Sequence, residues 1–161
     1  MGLGLIDAID RKAIEANADE YDADGDGISG KPNYVESAIA REQSNSLLLG
    51  RFGYKAGIST LIEQVQSAFY FDLGMSSAGF SDPWGDCTTS QSHCRAAIHG
   101  DMPRSDDQES EQKDVTRYEI SAPISNAIAS YLASLHVPSQ RNENAQDVVA
   151  GEKLFRDAGC G

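Results

Sequence analysis

Positive charge is scarce in this sequence: 13 lysines and arginines stand against 25 aspartates and glutamates, a formal net charge of -12. A nucleic-acid backbone or an anionic membrane surface is held by a basic face, and an excess of acid on this scale excludes both kinds of partner. Long apolar runs are missing too. The opening Met1-Gly2-Leu3-Gly4-Leu5-Ile6 soon meets Asp7 and Asp10, so it reads neither as a signal peptide nor as a membrane span. The three cysteines contain no Cys-x-x-Cys pair of the zinc or thioredoxin kind, and His93, His99 and His136 are scattered without ligand spacing. Alternating apolar and polar positions are absent, which leaves little or no strand to expect.

What is present is a series of helices joined by long loops. A length of 161 residues with 40% hydrophobic content suits one domain with a modest core. Ile6, Ile9 and Ala13 have helical spacing, and Asp10, a good N-cap, is expected to break that segment into two short helices. Thr60 and Glu63 form a capping box for a helix carrying Leu61, Val65, Ala68 and Phe69 on one face and stopping at Gly74. Pro123 suits a first helical turn, followed by a stripe of Ile124, Ala127, Ile128, Tyr131, Leu132 and Leu135 that Pro138 ends. A last helix is predicted from Asn144, its cap, to about Ala158, with Val148, Leu154 and Phe155 inward. The fold expected is mainly α.

Acidic residues gather in two stretches, 19–26 and 101–114; the second reads as a solvated loop. The first continues as Asp22-Ala23-Asp24-Gly25-Asp26-Gly27-Ile28-Ser29-Gly30, carboxylates at alternate positions with glycines that let the backbone curl. Calcium takes six to eight hard oxygens, and such a loop can converge them on one point. In an EF-hand register Asp22, Asp24 and Asp26 fill the first three ligand positions, Gly27 the sharp turn and Ile28 the carbonyl position. Asn33 stands at the twelfth position where a bidentate Glu is usual, so the loop is expected either to bind calcium weakly or to be an acidic turn without an ion.

Cys87 and Cys94, with six residues between them in a polar Ser/Thr-rich stretch, are expected to close a small disulfide loop, which would place the chain in an oxidising compartment; two free thiols are the alternative. The third cysteine ends the run Gly151-Glu152-Lys153-Leu154-Phe155-Arg156-Asp157-Ala158-Gly159-Cys160-Gly161. That run has the form of the approach to a Cys-x-x-Cys-His haem-attachment site, with Cys160 as its first cysteine. Arg51 and Lys55, four apart and flanking Phe52, would share one helical turn as partners for a haem propionate or for local acids. Met75 and Met102 have the chemistry of axial ligands and equally that of packing residues.

Taken together, Gly2-Leu3-Gly4-Leu5-Ile6-Asp7-Ala8-Ile9, the acidic loop with Pro32-Asn33, Leu49-Gly50-Arg51-Phe52-Gly53-Tyr54-Lys55-Ala56, Asp72-Leu73-Gly74-Met75-Ser76 and the run from Gly151 to Cys160 resemble the region between the two haem motifs of CxxC-type di-haem oxidoreductases, a family distantly similar to di-haem cytochrome c peroxidases. The family commonly has Trp where Tyr54 stands. The resemblance implies residues 1–140 as an inter-haem region and 141–161 as the start of a C-terminal cytochrome c domain. It further implies haem c in the larger protein, a periplasmic or secreted location, a protein electron donor or acceptor, and peroxide or thiol-type redox chemistry. A reading of another class also stands: a non-enzymatic, calcium-stabilised module of a secreted protein, with Cys160 incidental.

Overall fold

The computed structural model describes residues 2–39, 47–100 and 118–159. The expected disulfide pair lies inside these ranges, whereas Met102, the second acidic stretch and Cys160 lie outside them. The described chain is mainly helical: α1 (Leu3–Asp7), α2 (Arg11–Ala16), a two-residue antiparallel pair β1 (Tyr34–Val35) and β2 (Leu48–Leu49), a 3-10 turn at Tyr54–Ala56, then α3 (Leu61–Leu73), α4 (Ser92–Arg95), α5 (Ala122–Ser134) and α6 (Gln146–Asp157). Among the described residues no helix is long and apolar enough to cross a membrane.

Local chemistry explains the boundaries. Asp10 does divide the first segment: its carboxylate accepts the Lys12 N–H at 2.7 Å and starts α2. Thr60 caps α3 by accepting the Glu63 N–H at 3.3 Å, and Gly74, left-handed at φ 69°, ends it. Glu63 differs from the reciprocal box. It is buried, and its carboxylate accepts the Ala38 N–H at 2.5 Å and the Ser59 hydroxyl at 2.8 Å, so a capping residue doubles as the tie between α3 and the strand-pair region.

Helix α5 is the hub: α1 and α3 both pack against it. Gly4 makes the α1 approach close, since a Cβ there would lie 2.3 Å from the Ala133 carbonyl oxygen. Among the described residues the buried apolar set is small, Leu49, Phe52, Leu61, Val65 and Ile120, and buried polar side chains take over much of the interior. Ser76 and Glu119 exchange hydrogen bonds, backbone N–H to Oε2 at 3.0 Å and backbone N–H to Oγ at 3.1 Å, while Gln66 Oε1 accepts from Gly79 N–H at 2.9 Å and the Ser77 hydroxyl at 3.3 Å. On the surface the Tyr34 hydroxyl donates to Glu15 at 2.6 Å, which, with Arg11 second, holds that carboxyl below its ordinary range.

Two expectations about the later helices are corrected. The α5 stripe is only partly covered: Tyr131 and Ile124 face solvent, and Val65, Phe69, Ile128 and Leu132 line an open apolar groove of about 310 Å³ between α3 and α5. Helix α6 is capped by Ala145, since Asn142 turns left-handed (φ 52°) just before it, and none of its residues is buried. Leu154 and Phe155 are 69% and 57% exposed. The periodicity that marks them as one face is present, but a face is buried only when another surface is there to meet it.

Candidate functional site

Two clusters carry the residues singled out by the sequence. The first is the acidic loop, closed at its base by a backbone pair in which Asp19 and Gly30 each donate an N–H to the other's carbonyl at 2.9 Å. Within it the carboxylates of Asp19, Asp22 and Asp24 come within 4.8 Å of one another. Asp26 is outside that trio, and its Oδ1 accepts the Ile28 N–H at 2.7 Å. Asp22 adopts φ 51° and accepts the Gly27 N–H at 3.2 Å, while Gly25 and Gly27 are left-handed at 76° and 85°. Asp19 was not among the sequence candidates. A three-residue offset from Asp22 falls outside the alternating pattern, and only the closure at Gly30 turns Asp19 inward.

Asn33, the twelfth-position residue, has its amide engaged elsewhere: Nδ2 donates to the carbonyls of Lys55 and Ala56, both at 3.2 Å. This anchors the second cluster, the reversal from Gly50 to Ile58. Arg51 and Phe52 N–H groups both reach the Ile58 carbonyl, at 2.8 and 3.0 Å, and the Ile58 N–H returns to Phe52. Lys55 and Ala56 are left-handed at φ 55° and 51°, conformations that non-glycine residues keep only where the surroundings over-determine them. Asn33 supplies one constraint and Gly50 another, because a Cβ on residue 50 would lie 1.8 Å from the Ala56 carbonyl oxygen.

Arg51 and Lys55 therefore do not share a helical turn. One guanidinium nitrogen of Arg51 donates to the carbonyls of Ile6 (3.1 Å), Asp7 (3.0 Å) and Ile9 (2.5 Å), closing the C-terminal end of α1, where carbonyls lack helical partners. Lys55 is carried at the tip of the reversal with its ammonium 5.4 Å from the ring of Tyr54, itself 87% exposed. Buried Phe52 fixes the reversal to the core.

The remaining sequence candidates are separate from both clusters in the chain. Cys87 and Cys94 are joined by a disulfide contact with a Cα–Cα separation of 6.0 Å, inside the range for such a bond, and Arg95 stacks on Trp84 beside it at 4.3 Å. Cys160 lies outside the described residues, but the residue before it does not. Gly159, left-handed at φ 72°, sits against the acidic loop: a Cβ there would be 3.0 Å from Ile28 Cδ1 and 3.5 Å from Asp26 Oδ2. The helix that leads toward the third cysteine therefore ends on the loop that holds the carboxylates.

A family model described as "Di-haem oxidoreductase, putative peroxidase" matches residues 1–161. No curated protein and no solved structure matches the chain.

Proposed function

Since the chain belongs to the di-haem oxidoreductase family, we propose that it is the inter-haem segment of a c-type di-haem cytochrome, working in the periplasm or outside the cell and exchanging electrons with a protein partner. The observation that carries the reading is the helix α6 with its uncovered apolar face, followed by a left-handed glycine and then Cys160. The residues present fit a haem in two respects. A macrocycle is a flat apolar body that needs apolar side chains against it, and Leu154 and Phe155 are exposed on the helix leading to the thiol. Close approach of backbone to a large planar group also suits glycine at 159.

Haem c, when bound, supplies one-electron redox chemistry and, at an iron with a free position, peroxide reduction. This chain's own part is positional. Cys160 would hold the haem through one thioether. Arg51 braces the α1 end, and the reversal it starts holds Lys55 outward as a cation for a propionate. The Cys87–Cys94 contact supports the oxidising compartment that c-type maturation also requires. In the protein produced from its gene with haem-attachment machinery, a Soret band and haem that stays with the polypeptide after denaturation are expected; a colourless product with an intact Cys-x-x-Cys-His motif would defeat the proposal.

The acidic loop favours calcium as a second ligand, with Asp19 joining Asp22 and Asp24 in place of Asp26. Three carboxylates so close repel one another unless a cation sits among them. Affinity in the weak range, roughly 10⁻⁴ to 10⁻³ M, is expected, because no twelfth-position Glu is present. Millimolar calcium should raise Tm through mass action, and Asp24→Ala should abolish the rise while leaving the calcium-free Tm nearly unchanged. Differential scanning calorimetry with and without chelator checks this; an identical Tm in both would reduce the loop to an acidic turn.

A further inference from the structure

We propose that the groove between α3 and α5 is a docking site for a basic amphipathic segment of a protein partner, which seats apolar side chains between the two helices and sets a lysine or arginine against Asp72. The inference gives the protein partner proposed above a place on the molecule and rests on that reading only for there being such a partner; the surface argument makes no use of haem. The groove is apolar on both sides. Val65, Ala68, Phe69 and Leu73 follow one another along α3 at helical spacing, and Ile128 and Leu132, four apart on α5, complete an opening of about 310 Å³. Ala68 is the small member of the α3 row, and a lone methyl among larger neighbours leaves a hollow. Apolar surface continues past it: Leu73 is 65% exposed, and Ile124, one turn before Ile128, is 47% exposed. Contiguous apolar surface with a polar rim marks an interaction site, which single scattered apolar residues do not.

Charge selects the occupant. Asp72 is the one ionisable group among the described lining residues, and among the described residues it takes part in no ion pair. It stands in the last turn of α3, where the backbone carbonyls present a partial negative charge that a lysine or arginine commonly offsets; this last turn has no basic residue. The loop that abuts the helix end adds charge of the same sign. A Cβ on Gly85 would lie 3.3 Å from Gly74 Cα, and burial first, then Asp82 and Asp86 on that loop, hold the Tyr70 phenol above its ordinary range. Arg95 counters part of this from its stack on Trp84. With a formal net charge of -12 behind it, an unpaired carboxylate beside an apolar hollow repels an acidic segment and draws a basic one. A helix with an apolar face edged by lysines meets both demands. A second copy of this chain, equally acidic, does not.

The test uses the full-length protein and a fluorescein-labelled peptide that folds as an amphipathic helix, leucines on one face and lysines on the other, beside a second peptide with glutamates in place of the lysines. Fluorescence anisotropy at low ionic strength should show the lysine peptide bound and the glutamate peptide free, with binding weakened by added salt. Asp72→Lys should weaken binding about tenfold and keep the fold, since a cation suits a helix C-terminus. Ala68→Leu, which fills the hollow, should weaken it as well while the salt dependence stays. No binding of the lysine peptide, equal binding of the two peptides, or an affinity that neither substitution moves would overturn the proposal. So would a dimer in sedimentation that Ala68→Leu dissociates, because the groove would then belong to a second copy. Haem content is read separately: a colourless protein that binds the lysine peptide defeats the haem reading and leaves the docking site standing.

Discussion

Gly50→Ala is expected to lower Tm by roughly 10 °C, the largest loss from a methyl group added at any of the described glycines. The added Cβ would lie 1.8 Å from the Ala56 carbonyl oxygen, 2.9 Å from its carbon and 3.3 Å from the Asn33 carbonyl oxygen, all of them backbone atoms with no rotamer to move into. Relief requires the reversal to open, which breaks the paired hydrogen bonds of Phe52 with Ile58 and the two Asn33 amide contacts. Overpacking of this kind costs typically about 1–3 kcal/mol and sometimes more, and a chain of this size loses about 2–4 °C for each kcal/mol. Residues Lys55 and Ala56, held left-handed by the same clamp, would relax, so Tyr54 and Lys55 should also lose their fixed presentation. Thermal denaturation followed by circular dichroism reads the first effect. A variant that melts within a degree or two of wild type would show that the reversal adapts and that Gly50 is not its keystone.

Glu63→Leu should be nearly as damaging, for an electrostatic reason. The carboxylate is 4% exposed, and the backbone N–H of Ala38 and the hydroxyl of Ser59 both end on it. Leucine fills much of the space and satisfies neither donor. Each buried donor left unpaired costs about 1–3 kcal/mol, so the pair amounts to roughly 2–6 kcal/mol. Glu63→Gln keeps one oxygen as an acceptor and should lose about half as much, a graded series that separates lost hydrogen bonds from lost volume. Urea denaturation of the three proteins checks it; equal stability of the Leu and Gln variants would mean that the side chain matters for packing alone.

Both residues stand in sequence segments whose meaning was only partly legible. Thr60 and Glu63 announce a helix start three residues apart, and α3 begins there because capping is local chemistry within one turn. That Glu63 reaches Ala38 is not local, and no pattern near residue 63 could announce it. The string from Gly50 to Ala56 carried the family resemblance, yet its helical reading was wrong: Arg51 and Lys55 at a spacing of four are compatible with a helix, and it is Gly50, Gly53 and the Asn33 amide, twenty-odd residues away, that draw the backbone into a left-handed reversal.

The same division runs through the acidic loop and the last helix. Alternating aspartates and glycines determined by themselves that residues 22–30 curl, since local backbone N–H to carboxylate hydrogen bonds and glycine freedom suffice for that. Which carboxylates gather was decided by the Asp19–Gly30 closure, which brings in Asp19 and leaves Asp26 facing Gly159. Periodicity alone determined that 146–157 is an amphipathic helix. Whether its apolar face is covered is a property of what stands opposite, and Leu154 and Phe155 remain exposed. Spacing along the chain dictates hydrogen bonds and faces within a turn or two; partners across the fold come from loop closure and packing, which depend on every segment at once.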